Sequence, residues 1–128
     1  MIALLAHNHK KDDLLKFVIK HKPFFESRDL IATGSTGLML EKHKDLELTV
    51  KKAPHGPEGG DIVISNLVIE GKVEAVLFFR DNLTAQAHEP DVMALLRMCD
   101  IHKVPLATNE ATAEAVVAWV GDVRRYES

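Results

Sequence analysis

The alternation of apolar runs with helix-patterned segments constrains this chain more than anything else in it. IALLAH (2–7) is a short, nearly unbroken apolar run, the pattern of a strand buried on both faces. KKDDLLKFVIKHKPFF (10–25) follows, with Leu14, Leu15, Val18 and Ile19 at helical spacing. Asp12 and Asp13 fall in its first turn and Lys20 and Lys22 near its end, the order that the helix dipole favours. RDLIAT (28–33) reads as a second strand, with a short helix from about Leu38. LELTVKKA (46–53) reads as a third strand with period-two character. IVISNLVIEG (62–71) is rich in β-branched residues, but a strand there would break the alternation, so a helix is expected. VEAVLFF (73–79) is the clearest buried strand. PDVMALLRMCDIHK (90–103) is a helix with Pro90 in its first turn, VPLAT (104–108) a closing strand and ATAEAVVAWVGDV (111–123) a last helix.

Strand–helix units repeated in this way specify an α/β class domain. The expected fold is a single doubly wound, three-layer domain over residues 1–128, with a mainly parallel five-stranded sheet. In such sheets ligands bind beyond the carboxyl ends of the strands. The chemistry-bearing residues collect in the loops that the rule selects. His7 and Lys11 follow the first strand, and Thr33, Gly34, Ser35 and Thr36 the second. HGPEGGD (55–61) follows the third and HEPDV (88–92) lies beyond the fourth. Gly34, Gly37, Gly56, Gly59 and Gly60, out of a total of 7 glycines, lie in two of these loops, which implies close backbone approach or positive φ there.

ATGSTG (32–37) places small residues and hydroxyls at a helix start, where unpaired N–H groups suit an anion, most simply a phosphate. It is neither a Walker motif nor a dinucleotide fingerprint. The plainer reading is an N-cap with a tight turn. Lys11 can supply a point charge to the same anion, or be a solvated helix-face lysine. His7, closing a buried strand, is an edge residue or a donor into the loops. Asp61, beside glycines and apolar side chains, has the surroundings that raise a carboxyl pKa and make a general base. His88 is an imidazole able to polarise a carbonyl, and Asp91 is either a second acid–base group or a helix-start charge. With an anion cradle, this set suits proton abstraction next to the carbonyl of a small phosphorylated sugar.

Several classes are disfavoured. A net charge of −3 with no basic stripe argues against nucleic acid. No apolar run approaches the roughly 20 residues that span a bilayer, and MIALLA is too short for a signal-peptide core. The single cysteine, Cys99, excludes an internal disulfide and fits a reducing compartment, so a soluble cytoplasmic protein is expected. Cys99 lies in an apolar helix stripe, where thiols are inert. The histidine spacings lack a metal-binding signature, and no metal is expected.

These residues resemble one family, the methylglyoxal synthases. ALLAHNHKK, ATGSTG, GPEGGD, FFRDNLTAQAHEPDVMALLRMCD and VPLATN stand in that family's order and spacing across nearly the whole chain. The resemblance implies conversion of dihydroxyacetone phosphate to methylglyoxal and inorganic phosphate without metal or organic cofactor. It implies a homohexamer, and inorganic phosphate as product and inhibitor. It implies that Asp61 is the base, that His88 contacts the enediol oxygens and that Asp91 assists proton transfer. Lys11, Thr33, Gly34, Ser35 and Thr36 would bind phosphate or substrate, with His7, His55 and Gly56 lining the site.

The chain departs from the pattern at Asn8 (usually aspartate), His55 (serine), Glu58 (apolar), Asn82 (proline) and Ser65–Asn66 (glycine–alanine). The charge absent at Asn8 would pair with a C-terminal arginine, for which Arg125 is the candidate. These changes bear on affinity, assembly and phosphate regulation rather than on reaction class. Two rival readings have the same pattern to explain. A non-catalytic domain of this fold would sense a phosphorylated metabolite without needing the acid–base set. A receiver-like domain phosphorylated at Asp81 would need an acidic pair where the chain has HNH (7–9).

Overall fold

The computed structural model describes residues 1–123. Strand β1 (Ile2–Ala6) is buried from Ile2 to Leu5. Its side chains divide between two cores, Ile2 and Leu4 in one, Ala3 and Leu5 in the other, as the two-residue period of a strand requires. Four further strands join it: β2 (Leu30–Thr33), β3 (Val50–Ala53), β4 (Ala75–Phe79) and β5 (Leu106–Ala107). All pairings are parallel, in the order β3-β2-β1-β4-β5. Helices α1 (Lys11–Lys20), α2 (Lys22–Glu26), α3 (Gly34–Lys42) and α6 (Glu110–Ala118) bury Leu14, Phe17, Phe25, Leu40, Ala113 and Val117 against one face. On the opposite face α4 (Gly60–Ile69) and α5 (Glu89–Ile101) bury Ile64, Val68, Val92, Leu95 and Cys99. The result is the three-layer, doubly wound α/β fold that the alternation specifies.

The β-branched run is helical as expected, as far as Ile69, with Glu70 and Gly71 in the turn that follows. Ile64 and Val68 lie four apart and are fully buried, and packing of that stripe overrides a weak propensity for strand. Several boundaries differ from expectation, among them the closing strand, cut to Leu106–Ala107, and the last α-helix, which ends at Ala118. The helix read as 10–25 breaks at His21, and Pro23 opens a separate short helix. Helix α3 begins at Gly34 rather than Leu38, so GSTG is its first turn and not a preceding loop. The third strand is confined to Val50–Ala53. Leu46 and Leu48 are buried and keep the period-two pattern, but they lie before the residues that pair with β2.

From β1 the chain builds outward through β2 to β3, then crosses to β4 on the other side of β1. Connections leaving β1 and β4 therefore diverge and open a crevice at their carboxyl ends. A backbone bond from His7 N–H to the Phe79 carbonyl (3.1 Å) holds the two strand ends together at its floor.

Candidate active site

The crevice holds a cavity of about 280 Å³. Its wall includes His7, Lys11, Thr33, Ser35, Thr36 and His55, together with Gly56, Asp61 and His88. The connections that follow β1, β2, β3 and β4 thus each reach a common space, although these residues are far apart in sequence.

The glycines of HGPEGGD bring this about, each for a different reason. At Gly56 a β-carbon would lie 2.7 Å from Nε2 of His88, so the missing side chain lets the imidazole pack on the backbone. Gly59 caps the turn Gly56–Glu58 at φ +97°, in the left-handed region that favours glycine. At Gly60 a β-carbon would run into the Pro54 carbonyl and stand 2.9 Å from Cγ2 of Thr33. The start of α4 therefore lies directly on the β3 exit, and Asp61 is set into the crevice from the helix's first turn.

Asp61 is 1% exposed. Its Oδ2 lies 3.5 Å from Nε2 of His88 and has no hydrogen-bond partner among the described residues. Burial raises its pKa; the His88 ring opposes that shift, and the charges of Asp91 and Glu89 add to it. Behind it, the Ser65 hydroxyl donates to the Asp61 backbone carbonyl (2.8 Å). A buried carboxyl with a raised pKa, facing a cavity beside an imidazole, has the properties of a general base.

His7 is buried, and its Nδ1 accepts the backbone N–H of Asp81 at 2.8 Å. The single proton of the neutral ring must then sit on Nε2, which has no partner among the described residues and belongs to the cavity wall. Burial, followed by the nearby His88 ring, lowers the His7 pKa. His7 is consequently a neutral N–H donor directed by the Asp81 amide. Asp81 itself is committed: its carboxylate accepts from the Leu83 N–H (3.0 Å) and meets Nδ1 of His9 (3.1 Å).

The start of α3 has the chemistry of an anion cradle. Thr33 is the N-cap residue, as the plainer reading has it, but its side chain makes no capping hydrogen bond. The first-turn N–H groups have no intrahelical acceptors. Thr36 is fully buried, and its hydroxyl has no partner among the described residues. Lys11 reaches across from α1 to donate to the Ser35 hydroxyl at 2.6 Å, which places its ammonium at the same helix start. The His55 ring lies over Gly34, where a β-carbon would come within 3.0 Å of Cε1.

Of the residues singled out from sequence, Gly34 and Asp91 are not part of the cavity wall. Gly34 lies beneath the His55 ring, and Asp91 is half-buried in the first turn of α5, where its charge acts on Asp61. Gln86 lines the cavity and was not anticipated; a glutamine in a polar loop carries no signal of its own. Among the departures, Asn8 and His55 are on the wall, while Glu58, Asn82 and Asn66 are exposed and away from it. Arg125 lies outside the described residues. Among the described residues no group of three His, Cys, Asp or Glu could hold a metal ion. Cys99 is buried, and burial pushes its thiol up to about 11, in keeping with an inert thiol.

Residues 13–108 match the family model described as the MGS-like domain. The chain is 52% identical over 113 residues to the methylglyoxal synthase of Carboxydothermus hydrogenoformans, covering 88% of this chain and 92% of that protein. The chain belongs to the methylglyoxal synthase family. Identity to the Borreliella afzelii methylglyoxal synthase is 54% over 116 residues, or 91% of this chain and 90% of that one. The crystal structure of methylglyoxal synthase from Elizabethkingia anophelis NUHP1 superposes with a TM-score of 0.83 at 41% identity, covering 91% of this chain and 76% of that one. As a methylglyoxal synthase family member it is an enzyme, a carbon–oxygen lyase acting on phosphates.

Proposed function

We propose that the cavity converts dihydroxyacetone phosphate to methylglyoxal and inorganic phosphate, with Asp61 as the base. The observation that carries the assignment is the buried Oδ2 of Asp61, without a hydrogen-bond partner among the described residues and 3.5 Å from His88, in the same cavity as the α3 cradle. Asp61 takes a proton from the hydroxymethyl carbon, and the electron pair moves onto the carbonyl oxygen as an enediolate. His88, with the Nε2–H of His7, donates to the enediolate oxygens, which need positioned donors rather than bulk water. Asp91 acts in proton transfer beside this pair. A proton then passes from the hydroxyl of the deprotonated carbon to the former carbonyl oxygen. The oxygen so freed forms the aldehyde C=O, the C=C bond shifts toward the phosphate-bearing carbon and the C–O bond to phosphate breaks. The enol released tautomerises to methylglyoxal.

Lys11, Thr33, Gly34, Ser35 and Thr36 hold the phosphate, with His55 and Gly56 lining its approach. The C–O bond breaks most readily when it stands perpendicular to the enediolate plane. A rigid helix-start cradle that keeps the phosphate there selects elimination over isomerisation. No metal or organic cofactor enters this scheme.

A homohexamer is the proposed assembly. Ile62, Val63 and Ile69 on α4 and Met93 on α5 expose apolar surface that self-association would cover. A cytoplasmic location is proposed on the reducing environment that suits the free Cys99 thiol. No helix among the described residues is long and apolar enough to cross a membrane.

The test is incubation with dihydroxyacetone phosphate in heavy water, following phosphate release and exchange of the substrate C–H. Exchange with release is expected. Exchange without release would reject the cradle's orienting role, and binding without either would support the sensor reading instead.

A further inference from the structure

We infer that His55 makes phosphate binding pH-dependent at this site: its protonated ring donates to a phosphate dianion seated at the start of α3. This rests on the reading of the cavity as a phosphate site. A β-carbon on Gly34 would be 3.0 Å from Cε1 and 3.1 Å from Nδ1 of His55, so the ring lies directly over the first residue of the helix. It shares the cavity wall with Lys11, Ser35 and Thr36. Neither ring nitrogen has a hydrogen-bond partner among the described residues, which leaves both free for a ligand. The helix start does not stand alone as the indication of an anion. Thr36 and His7, 0% and 5% exposed, line the same space, and the Thr36 hydroxyl and His7 Nε2 have no partner among the described residues.

The other charged or titratable groups of the wall have different tasks. Lys11 on α1 supplies a constant cation beside Ser35. His7, at the end of β1, is committed to the Asp81 amide, and burial favours its neutral form. His88, at the start of α5, faces Asp61 of α4. Glu58, on the same turn as His55, is exposed and not part of the wall. His55 is thus the wall histidine whose charge is uncommitted. An imidazole changes charge across the neutral range, and a charged donor binds phosphate more strongly than a neutral one. Binding of the phosphate dianion therefore favours the protonated ring, and the contribution of His55 to dianion affinity falls as pH rises.

The experiment is calorimetric titration of the full chain with inorganic phosphate from pH 6.5 to 8.5, for the wild type, His55→Ser and His55→Gln. Glutamine keeps a donor without the charge. Phosphate's own ionisation is common to all three proteins, so the ratio of affinities isolates the ring. At pH 6.5 the wild type should bind about fivefold more tightly than either variant, and the three should converge by pH 8.5. Buffers of different ionisation enthalpy should reveal extra proton uptake by the wild type alone. A ratio that stays flat with pH, or equal proton uptake, overturns the role of His55 while leaving the phosphate site standing. Failure of all three to bind phosphate at any pH would instead overturn the reading of the cavity itself.

Discussion

Replacement of Gly60 by alanine should damage catalysis chiefly through the backbone, by displacing the start of α4. An added β-carbon would lie 3.0 Å from the carbonyl carbon of Pro54, with the carbonyl oxygen nearer still, and 2.9 Å from Cγ2 of Thr33. Non-bonded carbons settle at about 3.5–4.0 Å, so clearing the carbonyl carbon alone needs at least about 0.5 Å of retreat, and clearing the oxygen brings it to the order of 1 Å. The obstacle is backbone in the β3 exit, not the end of a flexible side chain, so the start of α4 must give way. Asp61 is the next residue and moves with it, away from His88. Misplacement of a reacting group by about 1 Å costs on the order of 10²-fold in rate, and overpacking of this kind costs roughly 1–3 kcal/mol of stability. Gly59 is the internal control. Its φ is +97° but a β-carbon there meets open space, so Gly59→Ala should cost only roughly 1–2 kcal/mol of backbone strain and leave turnover within a few-fold. Steady-state kinetics and urea midpoints on both variants decide the matter. A Gly60→Ala enzyme with near-normal kcat, or a Gly59→Ala enzyme as impaired as it, would refute the account of how the loop places the base.

Asp61→Asn should lower kcat by orders of magnitude and leave substrate affinity within about tenfold, as measured by steady-state kinetics and equilibrium binding. The same variant tests linkage. Burial raises the folded-state pKa of Asp61, so the native state holds its proton more tightly than the unfolded chain does. The wild type therefore loses stability as pH climbs from the ordinary carboxylate range through that raised pKa, and the asparagine variant does not. The stability difference should grow in favour of Asp61→Asn with rising pH and then level off, by urea denaturation at a series of pH values; a difference independent of pH would contradict the burial argument. Thr36→Val should stabilise the fold by about 1 kcal/mol, because a fully buried hydroxyl without a partner among the described residues is replaced by an isosteric methyl. Its KM for dihydroxyacetone phosphate should rise about tenfold; a Thr36→Val protein that is destabilised, or binds substrate normally, would place that hydroxyl outside the phosphate cradle.

The class of the fold could be read in the linear chain because burial on both faces leaves a mark at every strand. IALLA and AVLFF are continuous apolar runs for that reason, and the strand–helix rhythm then specifies a parallel sheet. The residues of the site were visible for a related reason: in such a sheet, polar and glycine-rich loops follow the strand ends on one side. Boundaries were less legible where local chemistry is ambiguous. GSTG suits a turn as well as a first helical turn, and Leu46 and Leu48 follow the strand period without pairing. Gln86 had no local mark, since it joins the wall only because the β4–α5 connection folds over the crevice.

What the sequence determined by itself was composition of matter at each strand end: an anion-binding turn, a base, an imidazole and glycines in a fixed order along an α/β rhythm. What only the tertiary structure decided was which of these meet. The order β3-β2-β1-β4-β5 brings the end of β1 beside that of β4, and it is this adjacency that lets the Asp81 amide direct His7. The meaning of HGPEGGD was settled at the same level. Gly56 and Gly60 meet atoms remote in sequence, His88 and Thr33, whereas Gly59 is required by its own φ, and Glu58 is exposed and not part of the cavity wall. Close approach of backbone to a distant side chain leaves no periodic trace in a sequence, whereas burial repeated along a strand does.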